Sequence, residues 1–102
     1  VLFEKGDYKL FPNPTAGPFE VDFFVKTPGF MSLQLINTMG QILESRSYHY
    51  DGCCRIELFD LSRYPNGLYF VVADLKPDTN RPGDNLQVIR HSGLKVIKLD
   101  QK

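Results

Sequence analysis

Ser62, His49, His91, Glu20, Asp22 and the pair Cys53-Cys54 are the side chains of this sequence with the chemistry for a site. Ser62 sits in Asp60-Leu61-Ser62-Arg63, without the Gly-x-Ser-x-Gly elbow that exposes a nucleophile above a sheet. His49 and His91 are far apart in the chain and lie on or near strand and turn segments, so they read as surface residues rather than ligands. Glu20 and Asp22 fall on one face of a strand pattern, where water solvates them, and two carboxylates are too few for a calcium site. No glycine-rich phosphate loop is present.

The cysteines are neighbours. Adjacent Cα atoms across a trans peptide lie about 3.8 Å apart, whereas ordinary disulfides prefer about 4.4–6.8 Å. On a strand the two side chains also point to opposite faces. Cys53 and Cys54 are therefore expected to be unbridged within the chain, one in the core and one at the surface. The C-x-x-C or paired-His spacing of a redox or metal site is missing. These residues point to no catalysis, no metal and no cofactor.

The elements that position these residues follow from composition and period. With 102 residues, 42% hydrophobic and 13% aromatic, the chain can build one modest core and is not a disordered tail. The formal net charge is zero and no basic stripe stands out, which argues against nucleic acid as a partner. No apolar run reaches the roughly 18 residues of a membrane-spanning helix. Val1-Leu2-Phe3 meets Glu4 and Lys5 at once, with no signal-peptide core. That start fits a cytosolic protein or a piece of a longer exported chain.

Tyr8-Lys9-Leu10-Phe11 reads as a short first strand, stopped by Pro12-Asn13-Pro14-Thr15-Ala16-Gly17-Pro18, whose three prolines remove three backbone donors. From Phe19 to Lys26 the pattern alternates. Phe19, Val21, Phe23 and Val25 share one face, and a slip of one residue would bury Glu20 and Asp22. Met31, Leu33 and Leu35 give the next strand its inner face. Asn37-Thr38-Met39-Gly40 makes a hairpin with Gly40 free to turn left-handed, and the return runs to Tyr50. Cys54, Ile56 and Leu58 are expected inward on the fifth strand. That parity leaves Phe24, Ile36 and Phe59 outward, where a contiguous patch would form a dimer or partner surface; loops over both faces, or a parity off by one, explain them equally well. Leu86 to Arg90 is a short strand candidate, His91-Ser92-Gly93 a bulge or turn, and Leu94 to Leu99 the last strand, with Leu94, Val96 and possibly Lys98 on one face.

The stretch from Leu58 to Val72 organises the rest. Pro65-Asn66-Gly67 marks a corner, and Tyr69 follows two residues after the glycine. There a Greek-key sandwich places a tyrosine whose hydroxyl bonds back to the connection. Asp60 is expected to cap the turn backbone through an Asx-type bond. Turn signals every 8–12 residues and no helical period predict an all-β fold: an immunoglobulin-like antiparallel β-sandwich of about seven strands, of Greek-key type.

Four motifs carry a family resemblance. Leu10-Phe11-Pro12-Asn13-Pro14-Thr15-Ala16-Gly17-Pro18-Phe19 resembles the opening signature of the type A C-terminal sorting domain of the Bacteroidetes type IX secretion system, the Por secretion family. Leu35 to Leu43, with Gly40, resembles its central hairpin. Asp60-Leu61-Ser62, then Gly67-Leu68-Tyr69, resembles its Asp-Leu-Ser and Gly-x-Tyr element. Lys95-Val96-Ile97-Lys98 resembles its basic-apolar ending. The motifs come in the family's order and span Leu10 to Lys98. The connection from Asp74 to Gly93 is longer than the family's hairpin, and the vicinal cysteines lie outside its pattern.

The resemblance implies a secretion signal with no catalysis. Residues 1–6 would be a linker from a cargo domain N-terminal to it, and residues 7–102 the sorting domain. The folded sandwich would be read by the type IX outer-membrane translocon, then usually be removed by a sortase-like surface protease. The protein would be exported, periplasmic in transit, then at the cell surface or outside the cell. Pro12, Asn13, Pro14, Gly17, Gly40, Asp60, Leu61, Gly67 and Tyr69 would chiefly define the fold, with recognition by Lys95, Val96 and Lys98. Alternatively those lysines only guard an edge strand against aggregation. A competing function is an immunoglobulin-like adhesion or carbohydrate-binding module retained on a surface protein, with Phe24, Tyr48 and Tyr50 as its aromatic platform.

Overall fold

The computed structural model describes residues 6–78 and 90–100. Its strands are β1 (Tyr8–Phe11), β2 (Pro18–Phe23), β3 (Gly29–Asn37), β4 (Ile42–Tyr50), β5 (Arg55–Asp60), β6 (Gly67–Pro77) and β7 (Arg90–Lys98). They form two antiparallel sheets, one of order β1-β2-β5 and one of order β4-β3-β6-β7. The chain changes sheet between β2 and β3, between β4 and β5, and between β5 and β6. This is the expected seven-stranded sandwich, with the fourth strand beside the third.

Alternation decides which side chains fill it. Phe19, Val21 and Phe23 from β2 meet Met31, Leu33 and Leu35 from β3, and Val71, Ala73 and Leu75 from β6, all buried. Leu94 and Val96 complete the layer from β7. Each of these side chains larger than Ala73 stabilises the fold by roughly 1.5–3 kcal/mol through burial alone. Asn37 organises the hairpin: its side chain accepts from the Met39 and Gln41 amides at 2.9 and 3.0 Å, and Gly40 takes φ +80°, the left-handed region glycine enters freely.

The fifth strand has the opposite parity to that expected. Glu57 and Phe59 point inward, whereas Ile56 and Leu58 are 60% and 66% exposed. Both faces of this strand carry apolar residues, so hydrophobic pattern alone leaves the register open. Two contacts settle it. The Phe59 ring stacks on Phe19, centroids 5.2 Å apart, and Leu61 continues the inner column. Glu57 is buried because two guanidiniums neutralise it, Arg46 at 2.9 Å and Arg55 at 3.0 Å. Arg46 also lies 4.0 Å from the Phe59 ring centre, so one side chain joins β4 of one sheet to β5 of the other. Phe59 thus leaves the outward set; Phe24 lies just past the end of β2 and Ile36 on β3 of the other sheet.

Cys53 and Cys54 are bridged to each other, contrary to expectation, with Cα atoms 2.9 Å apart across a cis peptide. Both are exposed in the turn before β5, off the strand whose alternation would have separated them. His91, Ser92 and Gly93 lie within β7, paired with Asp74, Ala73 and Val72, and form no turn. Leu86 to Ile89 of the short strand candidate fall outside the described residues.

Candidate functional site

The residues of the four motifs do not spread evenly over the sandwich. Three sets gather at one end, where the loop between β1 and β2 meets the corner before β6 and the last strand. Pro12 and Pro14 follow cis peptides. Between them Asn13 turns its side chain onto the outer edge of β7: Nδ2 donates to the Lys95 carbonyl at 2.9 Å, and Oδ1 accepts from the Ile97 amide at 2.9 Å. Thr15 continues the ladder with its backbone. Its amide donates to the Ile97 carbonyl at 2.8 Å, and its carbonyl accepts from the Leu99 amide at 2.9 Å, a short parallel bridge beside Lys98. A loop of the three-stranded sheet thereby covers half the edge of the four-stranded one, satisfying donors and acceptors that an edge strand otherwise leaves open.

Thr15 itself is buried. Its hydroxyl donates to the Pro18 carbonyl at 2.6 Å and accepts from the Gly17 amide at 3.0 Å. Gly17 in turn accepts from the Leu61 amide at 2.9 Å. A Cβ at Gly17 would overlap the Ser62 hydroxyl and come within 3.1 Å of Asp60 Oδ1, so a larger residue must push the Ser62 hydroxyl out of its bond to Asp60. In that turn Asp60 Oδ1 accepts from the Ser62 amide at 2.8 Å and from its hydroxyl at 2.5 Å, the Asx-type cap expected from the sequence. These bonds, the hydroxyl's above all, hold the Asp60 carboxyl below the usual aspartate range.

The corner completes the end. The Tyr69 hydroxyl donates to the Pro65 carbonyl at 2.6 Å, as the corner reading requires. Tyr64 packs on Tyr69 with ring centres 6.4 Å apart. Lys98 is only 3% exposed; its ammonium donates to the Tyr64 carbonyl at 2.6 Å and lies 3.2 Å from the Asp100 carboxylate. The Asp100 amide donates to Asn66 Oδ1 at 3.1 Å.

The expected recognition residues divide accordingly. Val96 is fully buried and Lys98 is held within the corner, while Lys95 leaves its side chain in solvent. Gly40 lies on the β3–β4 hairpin, apart from this cluster. The sequence reading missed Thr15, Asn13's grip on β7 and the burial of Lys98. Asn and Thr in a proline-rich turn look like turn residues, and contacts more than 80 positions away leave no local trace.

Elsewhere, His49 is set between two aspartates, Asp51 at 3.0 Å from Nδ1 and Asp78 at 2.5 Å from Nε2, and both bonds push its pKa up, Asp78 most. Among the described residues its hydrogen-bond partners are these two aspartates, and no group of three or more His, Cys, Asp or Glu could hold a metal ion. The aromatic platform fails. Tyr50 is buried, its hydroxyl donating to the Val25 carbonyl at 2.6 Å, and the Tyr48 ring is covered by the Arg55 guanidinium at 3.6 Å. No helix among the described residues is long and apolar enough to cross a membrane.

The residues of three motifs thus hold one end of a small antiparallel sandwich together. The family described as the secretion system C-terminal sorting domain matches residues 9–80, most of the chain, and the chain belongs to that family. It is thus a sorting signal of type IX secretion, of a protein destined for the cell surface or the extracellular space. No curated protein and no solved structure matches it.

Proposed function

We propose that this domain is the folded address of an exported cargo carried N-terminal to it. The type IX outer-membrane translocon reads residues 7–102, and a sortase-like surface protease then cuts in the linker formed by residues 1–6. The observation that supports this reading is the family match over residues 9–80, laid on a domain whose motif residues meet at one end. Within that end Lys95 offers an exposed cationic side chain where Asn13 grips β7, and we place recognition there. Val96 and Lys98 support it from within by fixing β7 against β6 and the corner.

A reporter fusion tests this. Residues 1–102 behind a periplasmic reporter in a type IX-competent bacterium should carry it to the surface. Mass spectrometry should then find peptides of residues 7–102 in the periplasmic pool and not on the mature surface protein. Removing Leu94 to Lys102 should strand the reporter in the periplasm. Lys95→Glu should reduce export with the fold intact; export at the parent level would move recognition elsewhere. Surface protein that keeps residues 7–102 would refute cleavage.

A further inference from the structure

The turn from β4 to β5 holds the bridge between Cys53 and Cys54, at the far end of β5 from the Asp-Leu-Ser turn. A bridge that serves a fold closes a long loop, because the entropy it removes from the unfolded chain grows with loop length. This one joins sequence neighbours and ties together no two elements that the turn does not already join. Nor does the core close over it, since both cysteines are exposed. Other contacts hold the turn on both sides. Gly52 is buried at φ +94°, so near the Lys26 carbonyl that an added Cβ would lie 2.8 Å from its oxygen. Asp51 meets His49 Nδ1 at 3.0 Å. Arg55 donates to Glu57 at 3.0 Å and covers the Tyr48 ring at 3.6 Å. Cys54 also lines an open cleft of about 330 Å³ with Tyr50, Asp51, Gly52, Arg55 and Ile56, with room for a small thiol to enter.

We infer that Cys53–Cys54 is a reversible thiol-exchange site, opened by a dithiol and closed again while the sandwich stays folded. The exchange balances between the two partners. A thiolate of the dithiol attacks one exposed sulfur. A new S–S bond forms, the Cys53–Cys54 bond breaks, and the other cysteine leaves as a thiolate and takes up a proton. The second thiol of the donor, as its thiolate, then attacks the mixed disulfide and releases the first cysteine. The donor departs as its own disulfide, oxidised by two electrons, and the chain keeps two thiols. Gly52 and Arg55 hold the turn on either side, so the two thiols stay adjacent. When a disulfide donor drives the reverse exchange, its second step is therefore intramolecular. A protein destined for the cell surface or the extracellular space meets oxidising surroundings, where the closed form persists. The site lies on another turn from Lys95, and the inference does not depend on the recognition proposed there.

Intact mass and 15N spectra of the 102-residue chain test this, with dithiothreitol as the dithiol. Before reduction iodoacetamide should add nothing; afterwards it should modify both cysteines. The reduction rate in native buffer should lie within about tenfold of the rate in denaturant, as for an accessible sulfur. Amide shifts should be confined to Asp51 to Ile56, with Val21, Leu33 and Val71 unmoved. Oxidised glutathione, once the dithiol is removed, should restore the first spectrum. The double variant Cys53→Ser, Cys54→Ser should keep the parent's denaturant midpoint; if it fails to fold, the spectrum of the reduced parent decides. Alkylation before reduction, reduction only in denaturant, or loss of spectral dispersion on reduction overturns the inference. So does a reduced spectrum that oxidised glutathione does not reverse.

Discussion

At the closed end, Asp60 takes two donors from Ser62, and the Lys98 ammonium has a carbonyl and a carboxylate. On the outer face of the three-stranded sheet, Glu20 and Asp22 stand side by side between Phe11 and Lys9 of β1 and the exposed Leu58 and Ile56 of β5, and Asp22 Oδ1 accepts no hydrogen bond among the described residues. Both regions use the same few residue types. The difference is that one end is satisfied by the chain itself and the other is not. Polar residues of the motifs are therefore largely spent on the fold, while Phe11, Pro18 and Phe19 of the opening motif line a groove on the outer face.

Substitutions on the two faces of β5 give the largest contrast. Phe59→Ala should cost about 3–5 kcal/mol through the lost stack and the cavity it leaves. Leu58→Ala, one residue away, should stay within about 0.5 kcal/mol. Denaturant midpoints of both variants measure this, and equal losses would mean that β5 does not have its inner and outer faces as described. Asn13→Ala removes both side-chain bonds to β7 and should cost about 1–2 kcal/mol. Amide exchange at Ile97, which loses its acceptor, should quicken more than at Val71 in the core. Protection unchanged at Ile97 would show that Asn13 does not hold that edge.

Tyr69→Phe keeps the ring and removes only the bond to the Pro65 carbonyl, so about 1 kcal/mol is expected. A loss near zero would mean that the corner is held by ring packing alone. The smallest effect belongs to His49. Its pKa is raised in the fold by Asp78 and Asp51, so the contribution is complete below the ordinary histidine value of 6.5 and fades as pH rises through the folded value. Thermal midpoints followed across that range should fall with pH slightly more in the parent than in His49→Gln. Parallel curves would show that the imidazole is not held by its two aspartates.

Most of the sandwich was legible because its strands alternate plainly. Val21 and Leu33 could hardly point anywhere but inward, and Pro65-Asn66-Gly67 before Tyr69 announced the corner. The fifth strand was not legible, since Ile56 and Leu58 compete with Phe59 and Leu61 and the deciding partner, Arg46, comes from another strand. The closed end was half legible. Asp60 bonds to a residue two positions on, a distance that sequence patterns report. Asn13, Thr15 and Lys98 bond across the whole domain, and only the folded chain brings them together. The bridge between Cys53 and Cys54 was hidden by placing them on a strand.

The ladder from Asn13 and Thr15 to Lys95, Ile97 and Leu99 has one more consequence. Contacts separated by 82 and 84 positions are the last a growing chain can make, because their partners emerge at its far end. Until residues 95–99 are present, the loop that opens the domain has only the Gly17–Leu61 bond to the Asp-Leu-Ser turn, and the corner lacks the ammonium of Lys98. A fold closed this way vouches for its own length: a chain broken off upstream of Leu99 lacks the bonds that tie its opening loop to the last strand.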